Sequence, residues 1–158
     1  MTRPAIPAPP YDGGCLCGAV RYRLSARPQT MTACHCDACK KMSGGTNLLV
    51  ITAPRDAFEH LSGAVQRFRR TAESGRQSDV VRCAACGTRL WHEPQAFPVI
   101  TLAAGTLDDS SWVVPATHIW IEKASPGALM HDDATKLTGQ PPREVQVAAF
   151  KALYGDGP

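Results

Sequence analysis

The sequence predicts a mainly β domain of antiparallel sheets with few and short helices. Val20, Tyr22 and Leu24 alternate with polar residues, which is typical of a strand with one buried face. The segment 46–53 is a continuous apolar and β-branched run bounded by glycine and proline, as expected of a buried strand. Many short strands with few helices indicate an antiparallel β fold.

Further strands are expected wherever the pattern repeats. Segment 64–72 alternates and is followed by a polar, hairpin-like loop at 73–79, and 80–94 is predicted as strand, cysteine knuckle, strand. Two more strands are expected within 97–109 and 117–126, with alternation from Thr117 to Ile121.

Helices are predicted in three places. A short helical turn is expected in 37–45, ending at its glycines, and a short helix over 54–63, opened by Pro54 and closed by Gly63. The clearest helical pattern follows Pro141 and Pro142 near the C-terminus. The predicted apolar face of that helix comprises Val145, Ala148, Ala149 and Ala152 or Leu153.

Length and composition restrict the class of protein. A chain of 158 residues with 44% hydrophobic residues suits one domain with a single sizeable core. We expect a flexible Pro-rich arm at 1–10, a metal-binding domain at 11–127 and an extension with a helix at 128–158. A net charge of +3 does not indicate a nucleic-acid partner, and no apolar run is long enough to predict a membrane span. The N-terminus lacks the apolar core of a secretion signal, so we expect a cytoplasmic protein with reduced thiols.

The seven cysteines indicate metal binding rather than disulfides. An odd number does not fit a fully paired disulfide framework. Cys15 and Cys17 form C-x-C, and Cys83 and Cys86 form C-x2-C followed by a glycine, a knuckle that is typical of zinc sites.

Seven thiols divide naturally into a set of four and a set of three. The run C-x-C-x2-C is compact enough for Cys34, Cys36 and Cys39 to reach one ion. Four thiols suit a closed structural zinc, and three leave a position open, as in catalytic zinc sites. The remaining pairs, Cys15 with Cys17 and Cys83 with Cys86, would then join the start of the chain to its middle. Spacing alone also permits Cys34 and Cys36 to pair with Cys83 and Cys86.

These motifs carry a resemblance to a known family. The ordered set GGCLCGAVRY, ACHCDACKKMSGG, VVRCAACGTRLW and THIWIEKASP resembles the glutathione-dependent formaldehyde-activating enzyme family, also called the centromere protein V family. The resemblance covers roughly residues 11–126. It implies an Mss4-like fold of β-sheets around zinc and two zinc ions per chain. It assigns Cys15, Cys17, Cys83 and Cys86 to a structural zinc, and Cys34, Cys36 and Cys39 to a second zinc at the active site.

The function that follows is a zinc-dependent carbon–sulfur lyase. Its expected partner is a small thiol or a thiol–aldehyde adduct similar to S-hydroxymethylglutathione. An open position on a three-thiolate zinc suits a substrate bound as a thiolate. Lys40 and Lys41 follow Cys39 directly, and they are candidates for binding an anionic group of the substrate.

Other interpretations remain open at this point. The second zinc site could be closed, with His35 or a distant residue as fourth ligand, in a non-catalytic zinc-stabilised binding module. Such a module could use a basic strip formed by Arg67, Arg69 and Arg70 with Arg21 and Arg23, although the pattern favours a salt-bridged strand face for these residues. A thiol-based redox sensor is a third possibility. His118 is a candidate general base, although packing is the usual role of a histidine in a strand.

Overall fold

A computed structural model describes residues 3–157 and has eleven strands and two α-helices within that range. The strands are β1 (Tyr11–Gly14), β2 (Arg21–Leu24), β3 (Thr30–Cys34), β4 (Leu48–Pro54), β5 (Phe58–Ser62), β6 (Val65–Thr71), β7 (Gln77–Cys83), β8 (Arg89–Pro94), β9 (Val99–Ala103), β10 (Thr117–Ile119) and β11 (Thr135–Leu137). The helices are α1 (Asp37–Ser43) and α2 (Arg143–Tyr154). The predicted mainly β class with a C-terminal helix is confirmed. Neither helix is long and apolar enough to span a membrane.

The strands form a small sheet and a large one. The small sheet has the order β1-β2-β5, and the large sheet has the order β11-β10-β3-β4-β9-β8-β7-β6. Pairing is antiparallel except at β10, which runs parallel to both β3 and β11.

The main core lies between the two sheets. Tyr22 of the small sheet meets Trp91 of the large one edge to face, with ring centroids 6.0 Å apart, and Phe58 packs on the same indole at 4.8 Å. Tyr22 and Trp91 are fully buried, so this aromatic group accounts for much of the contact between the sheets. The alternation predicted for Val20, Tyr22 and Leu24 is confirmed.

One face of the large sheet packs on the core, and its opposite face borders a cavity. In β4, Ile51 and Ala53 belong to the core, whereas Val50 and Thr52 line a cavity on the opposite face. Side chains of successive strand residues point to opposite faces, so one sheet serves both surfaces.

The predicted helix over 54–63 is wrong. Only Arg55–Ala57 form a 3-10 turn, and Phe58–Ser62 is strand β5. Its backbone pairs antiparallel with β2, from Leu24 opposite Phe58 to Arg21 opposite Ser62. This pairing satisfies the backbone of the segment by contacts distant in sequence, which override its local helical preference.

The predicted alternation over Thr117–Ile121 is also wrong. Strand β10 ends at Ile119, and all three of its residues are buried. Trp120 adopts a left-handed conformation (φ 58°) and begins a 3-10 turn at Ile121. A strand buried on both faces shows no polar alternation.

Helix α2 packs with only part of the predicted face: Leu153 contacts the core, as predicted, but other predicted residues are exposed. Val145 is 39% exposed and Ala148 and Ala152 are exposed, whereas Phe150 is 3% exposed. The buried ring of Phe150 contacts Tyr154 at 5.1 Å between centroids. The large aromatic ring, rather than the small alanines, determines the rotation of the helix because it buries the most apolar area.

Candidate metal centres

Cys15, Cys17, Cys83 and Cys86 come together as a four-thiol cluster. Their sulfur atoms all lie within 4.8 Å of one another, although Cys17 and Cys83 are 66 positions apart in the chain. Cys15 and Cys17 lie in the β1–β2 connection, Cys83 is the last residue of β7, and Cys86 lies in the connection to β8. The cluster therefore joins the small sheet to the large one.

Local backbone geometry prepares these thiols for a cation. The amide of Val20 donates to Cys15 Sγ at 3.2 Å, and the amide of Cys86 donates to Cys83 Sγ at 3.5 Å. Gly18 and Gly87 allow both turns, with φ of 77° and 73°, where a side chain would be strained. Amide donors stabilise sulfur in its charged form.

The sulfur spacing of this cluster fits zinc. Zn–S bonds of about 2.3 Å in a tetrahedron place the sulfurs about 3.8 Å apart. The separations are 3.4 Å between Cys15 and Cys17 and 3.9 Å between Cys17 and Cys83. All seven cysteines of the chain are free thiols, so none of these contacts is a disulfide.

Cys34, Cys36 and Cys39 form a separate three-thiol cluster. Cys34 ends β3, Cys36 caps the N-terminus of α1, and Cys39 lies in its first turn. The amide of Cys39 donates to Cys36 Sγ at 3.4 Å, and Gly44 ends the helix with φ 67°. All three sulfurs are buried and lie within 4.8 Å of one another. The structure thus brings the cysteines together as four and three, not as a mixture of Cys34 and Cys36 with Cys83 and Cys86.

The three-thiol cluster favours a bound cation. Hydrogen bonds from the thiols of Cys34 and Cys39 lower the pKa of Cys36, so the cluster loses its first proton readily. The same contacts, with burial, raise the pKa of Cys34 because further negative charge in so small a space is unfavourable. A divalent cation would remove this penalty, and an all-sulfur donor set suits zinc.

His35 does not join either cluster. Its ring is buried, and its Nε2 lies 3.0 Å from Nδ1 of His118. Nε2 of His118 in turn accepts the backbone N–H of His131 at 3.3 Å. The two imidazoles form a buried stack beside the cluster, and neither ring borders the cavity that the thiols face.

Lys40 and Lys41 lie on the outer side of α1. Lys40 Nζ is 3.0 Å from Asp37 and donates to the carbonyl of Lys123 at 2.7 Å. Lys41 is exposed. Neither residue borders the cavity next to the cluster.

All three cysteines of the three-thiol cluster line a cavity of ≈ 210 Å³ on the face of the large sheet opposite the core. The cavity follows β3 from Cys34 past Thr32 to Thr30. The four-thiol cluster lines neither this cavity nor the second one found in residues 3–157. Only the three-thiol cluster is therefore placed to meet a ligand in either of them.

The cavity combines an apolar floor with basic groups. The apolar lining includes Leu48, Val50, Val99, Ile119 and Trp120. The basic side chains are Arg70, Arg76 and Arg143, and the one acidic side chain, Glu73, pairs with Lys123. This lining suits a ligand with an apolar body and a negative charge.

The sequence patterns assign no role at the thiol site to two arginines that the structure places near the cluster. Arg70 lines the cavity, and its charge helps to lower the pKa of Cys36 after the larger effect of the neighbouring thiols. Arg89 is 8% exposed, and burial lowers the pKa of its guanidinium to about 10, whereas Cys39 and Cys34 act in the opposite direction. Arg89 Nε donates to His92 Nε2 at 2.9 Å, and its Nη1 has no hydrogen-bond partner in the described part of the chain. Arg70 belongs to the basic run at 67–70 and Arg89 to the segment VVRCAACGTRLW, but neither pattern indicates that these side chains lie near the thiols.

The proposed basic strip is largely neutralised by carboxylates. Arg21 pairs with Asp108, Arg23 with Asp12, Arg67 with Glu93 and Arg69 with Asp79. The strand faces are salt-bridged, which was the alternative interpretation of this pattern.

Comparisons with known proteins found a similar curated protein, a similar solved structure and a matching family profile. A Halomonas elongata protein that carries the name of the glutathione-dependent formaldehyde-activating enzymes is 29% identical over 118 residues, which cover 70% of this chain and 74% of the relative. A crystal structure of a Rhodobacter sphaeroides protein superimposes with a TM-score of 0.49 at 20% identity, over 61% of this chain and 87% of that one. The family profile described as glutathione-dependent formaldehyde-activating enzyme matches residues 10–123. The chain belongs to the glutathione-dependent formaldehyde-activating enzyme family.

Proposed function

We propose that this protein is a zinc-dependent carbon–sulfur lyase that acts on the adduct of a small thiol with an aldehyde, as in S-hydroxymethylglutathione. The observation that supports this most directly is the position of the three-thiol cluster in the wall of the cavity, in contrast to the four-thiol cluster. Family membership supports the substrate class.

Cys34, Cys36 and Cys39 would hold the reactive zinc, and Cys15, Cys17, Cys83 and Cys86 a structural one. Zinc at the three-thiol cluster would supply a Lewis-acidic open position at which a substrate sulfur is stabilised as a thiolate. In the lyase direction the carbon–sulfur bond breaks and its electron pair stays on sulfur, while the hydroxyl proton passes to solvent as the carbonyl forms. The sulfur takes up a proton from solvent when the thiol is released. The products are the free thiol and the aldehyde, and the reverse reaction forms the adduct.

The chain's own residues would orient the adduct. Ile119, Trp120 and Leu48 line the cavity together with the cluster and limit the access of water to the reacting carbon. Arg70 lies on the cavity side and provides positive charge for the developing thiolate.

The test is zinc content and lyase activity in Cys36→Ser beside Cys17→Ser. We expect two zinc ions in the parent protein. Cys36→Ser should retain one ion and the fold while losing aldehyde release from S-hydroxymethylglutathione, followed by proton NMR. Cys17→Ser should lose thermal stability, because a structural zinc contributes on the order of 10 kcal/mol.

Mild chelation provides a second readout on the unmodified protein. We expect one ion to leave while the circular dichroism spectrum is preserved, and zinc to restore activity. If both ions leave only together with the fold, the three-thiol site is structural, and the lyase proposal is replaced by a binding module.

A further inference from the structure

Part of the cavity wall comes from outside the family match. The match ends at residue 123, yet Gln140, Arg143 and Gln146 line the same cavity as the three-thiol cluster. Arg143 and Gln146 lie in the first two turns of α2. The C-terminal extension therefore contributes directly to the site.

Helix α2 is held firmly in this position. Thr32 of β3 donates to the side chain of Gln146 at 3.1 Å. At the other end of the helix, Arg27 donates to the carbonyls of Tyr154 at 2.7 Å and Gly155 at 3.1 Å. Phe150 anchors the middle of the helix in the core. Arg143 is consequently presented from a preorganised element.

The guanidinium of Arg143 has N–H donors that are free to bind an anion. One of its Nη2 hydrogens goes to the neutral side chain of Gln29, whereas its shielded Nε has no partner in residues 3–157. No carboxylate within that range forms an ion pair with Arg143. Shielded donors are nearly always satisfied in proteins, so a ligand group is a natural partner.

The position of Arg143 fixes the shape of such a ligand. Gln29 precedes β3 by one residue and lies five residues from Cys34, which corresponds to about 16 Å along an extended chain. Val50 lines the cavity opposite Thr32, between these two points. Arg143 also borders a second cavity with Phe97 and Gln29. A ligand that reaches both the cluster and Arg143 is elongated, and its middle meets Val50 together with the side chains of Thr30 and Thr32.

We propose that Arg143 is a specificity-determining residue that binds an acidic group of the substrate remote from its sulfur. This inference rests on the proposed function, because it assumes that the sulfur lies at the three-thiol cluster. Among thiols and their aldehyde adducts, Arg143 would favour elongated molecules that carry a carboxylate at the end remote from the sulfur.

Matched thiols test the inference directly. The probes are 8-mercaptooctanoic acid and 8-mercaptooctanol, which differ in charge at the far end, and binding to the zinc-loaded protein is measured by titration calorimetry. We expect the acid to bind about tenfold more tightly than the alcohol, because a charge-assisted hydrogen bond is gained. Arg143→Gln should abolish this difference without weakening the alcohol, and Arg143→Lys should retain part of it.

Lys151→Gln is the control, since it removes a positive charge from the exposed face of the same helix. It should preserve the preference for the acid. If the parent protein binds acid and alcohol equally, or if Arg143→Gln keeps the preference, the inference is overturned while thiol binding continues to support the lyase proposal. If neither these thiols nor glutathione bind, the proposed function fails, and the inference fails with it.

Discussion

His35 and His118 form a buried pair directly beside the three-thiol cluster, with His35 Nε2 and His118 Nδ1 3.0 Å apart. The backbone N–H of His131 donates to Nε2 of His118, so a neutral His118 carries its proton on Nδ1 and donates it to His35. This arrangement assigns both rings as neutral and fixes their tautomers. It joins the end of β3, where Cys34 lies, to β10.

Acid should destabilise the protein through His118. Burial, followed by unfavourable electrostatic interactions with neighbouring basic groups, lowers the pKa of His118 to about 4. The unfolded chain binds this proton near pH 6.5, so the unfolded state holds more protons between pH 6.5 and 4. The resulting stability is present above pH 6.5 and is lost as the pH falls towards 4, by about 3 kcal/mol.

Denaturant unfolding of the parent protein and His118→Gln at several pH values measures this effect. The variant should be less stable at pH 7 and should show a shallower loss of stability between pH 6.5 and 4. Parallel pH profiles would contradict a neutral His118 in the folded protein. Comparing the two proteins cancels the pH dependence of the thiol clusters.

Arg89 should strengthen metal binding at the three-thiol cluster. Zinc with three thiolates has a formal charge near −1, and the buried guanidinium of Arg89 lies within electrostatic reach of Cys39 and Cys34. If the three-thiol cluster holds zinc as proposed, Arg89→Gln should release that ion to a competing chelator roughly tenfold more readily, because the compensating charge is lost.

The matched control for Arg89→Gln is Arg23→Gln, which removes an exposed arginine paired with Asp12 on the small sheet. That change should leave the release of both ions unaltered. Equal zinc release from the parent protein and Arg89→Gln would show that Arg89 serves packing alone.

Gly63 should not tolerate a side chain. It has φ 87°, and a Cβ there would lie 2.3 Å from the carbonyl oxygen of Ala19, in the connection that leads into β2. Gly63→Ala should reduce the free energy of unfolding by on the order of 2 to 3 kcal/mol, because backbone must move. Gly127→Ala meets no atom within 4 Å and should change stability little in the same thermal denaturation. Equal melting temperatures would contradict the close approach at Ala19.

The packing of α2 gives a paired prediction. Phe150→Ala removes a ring that is 3% exposed and should cost about 3 to 4 kcal/mol of stability. Val145→Ala, at a position 39% exposed, should cost less than about 0.5 kcal/mol. Urea unfolding distinguishes the two, and similar losses would restore the helix face expected from the sequence pattern.

Local chemistry could be predicted from the sequence because it depends on neighbours in the chain. The C-x-C-x2-C run brings Cys34, Cys36 and Cys39 together through a strand end and one helical turn. The alternation of Val20, Tyr22 and Leu24 shows which side of β2 is buried, since side-chain direction has a period of two in any strand.

Long-range relationships could not be predicted from spacing. The separation of the thiols into four and three depends on the approach of the β1–β2 and β7–β8 connections, and spacing permits another grouping. The segment 54–63 became a strand because β2 offered its backbone a partner, and α2 turned to bury Phe150. Each outcome was decided by the packing of distant elements.

By itself, the sequence determined the metal-binding motifs, the β class and the family, all of which reside in local pattern. Only the tertiary structure decided which cluster faces a cavity and which cations surround it. The sequence does not show what surrounds an arginine side chain. In the structure, Arg89 is buried near the thiols and Arg143 lines the cavity. Burial and charge proximity arise from the folded arrangement, and they determine what each of these residues can bind.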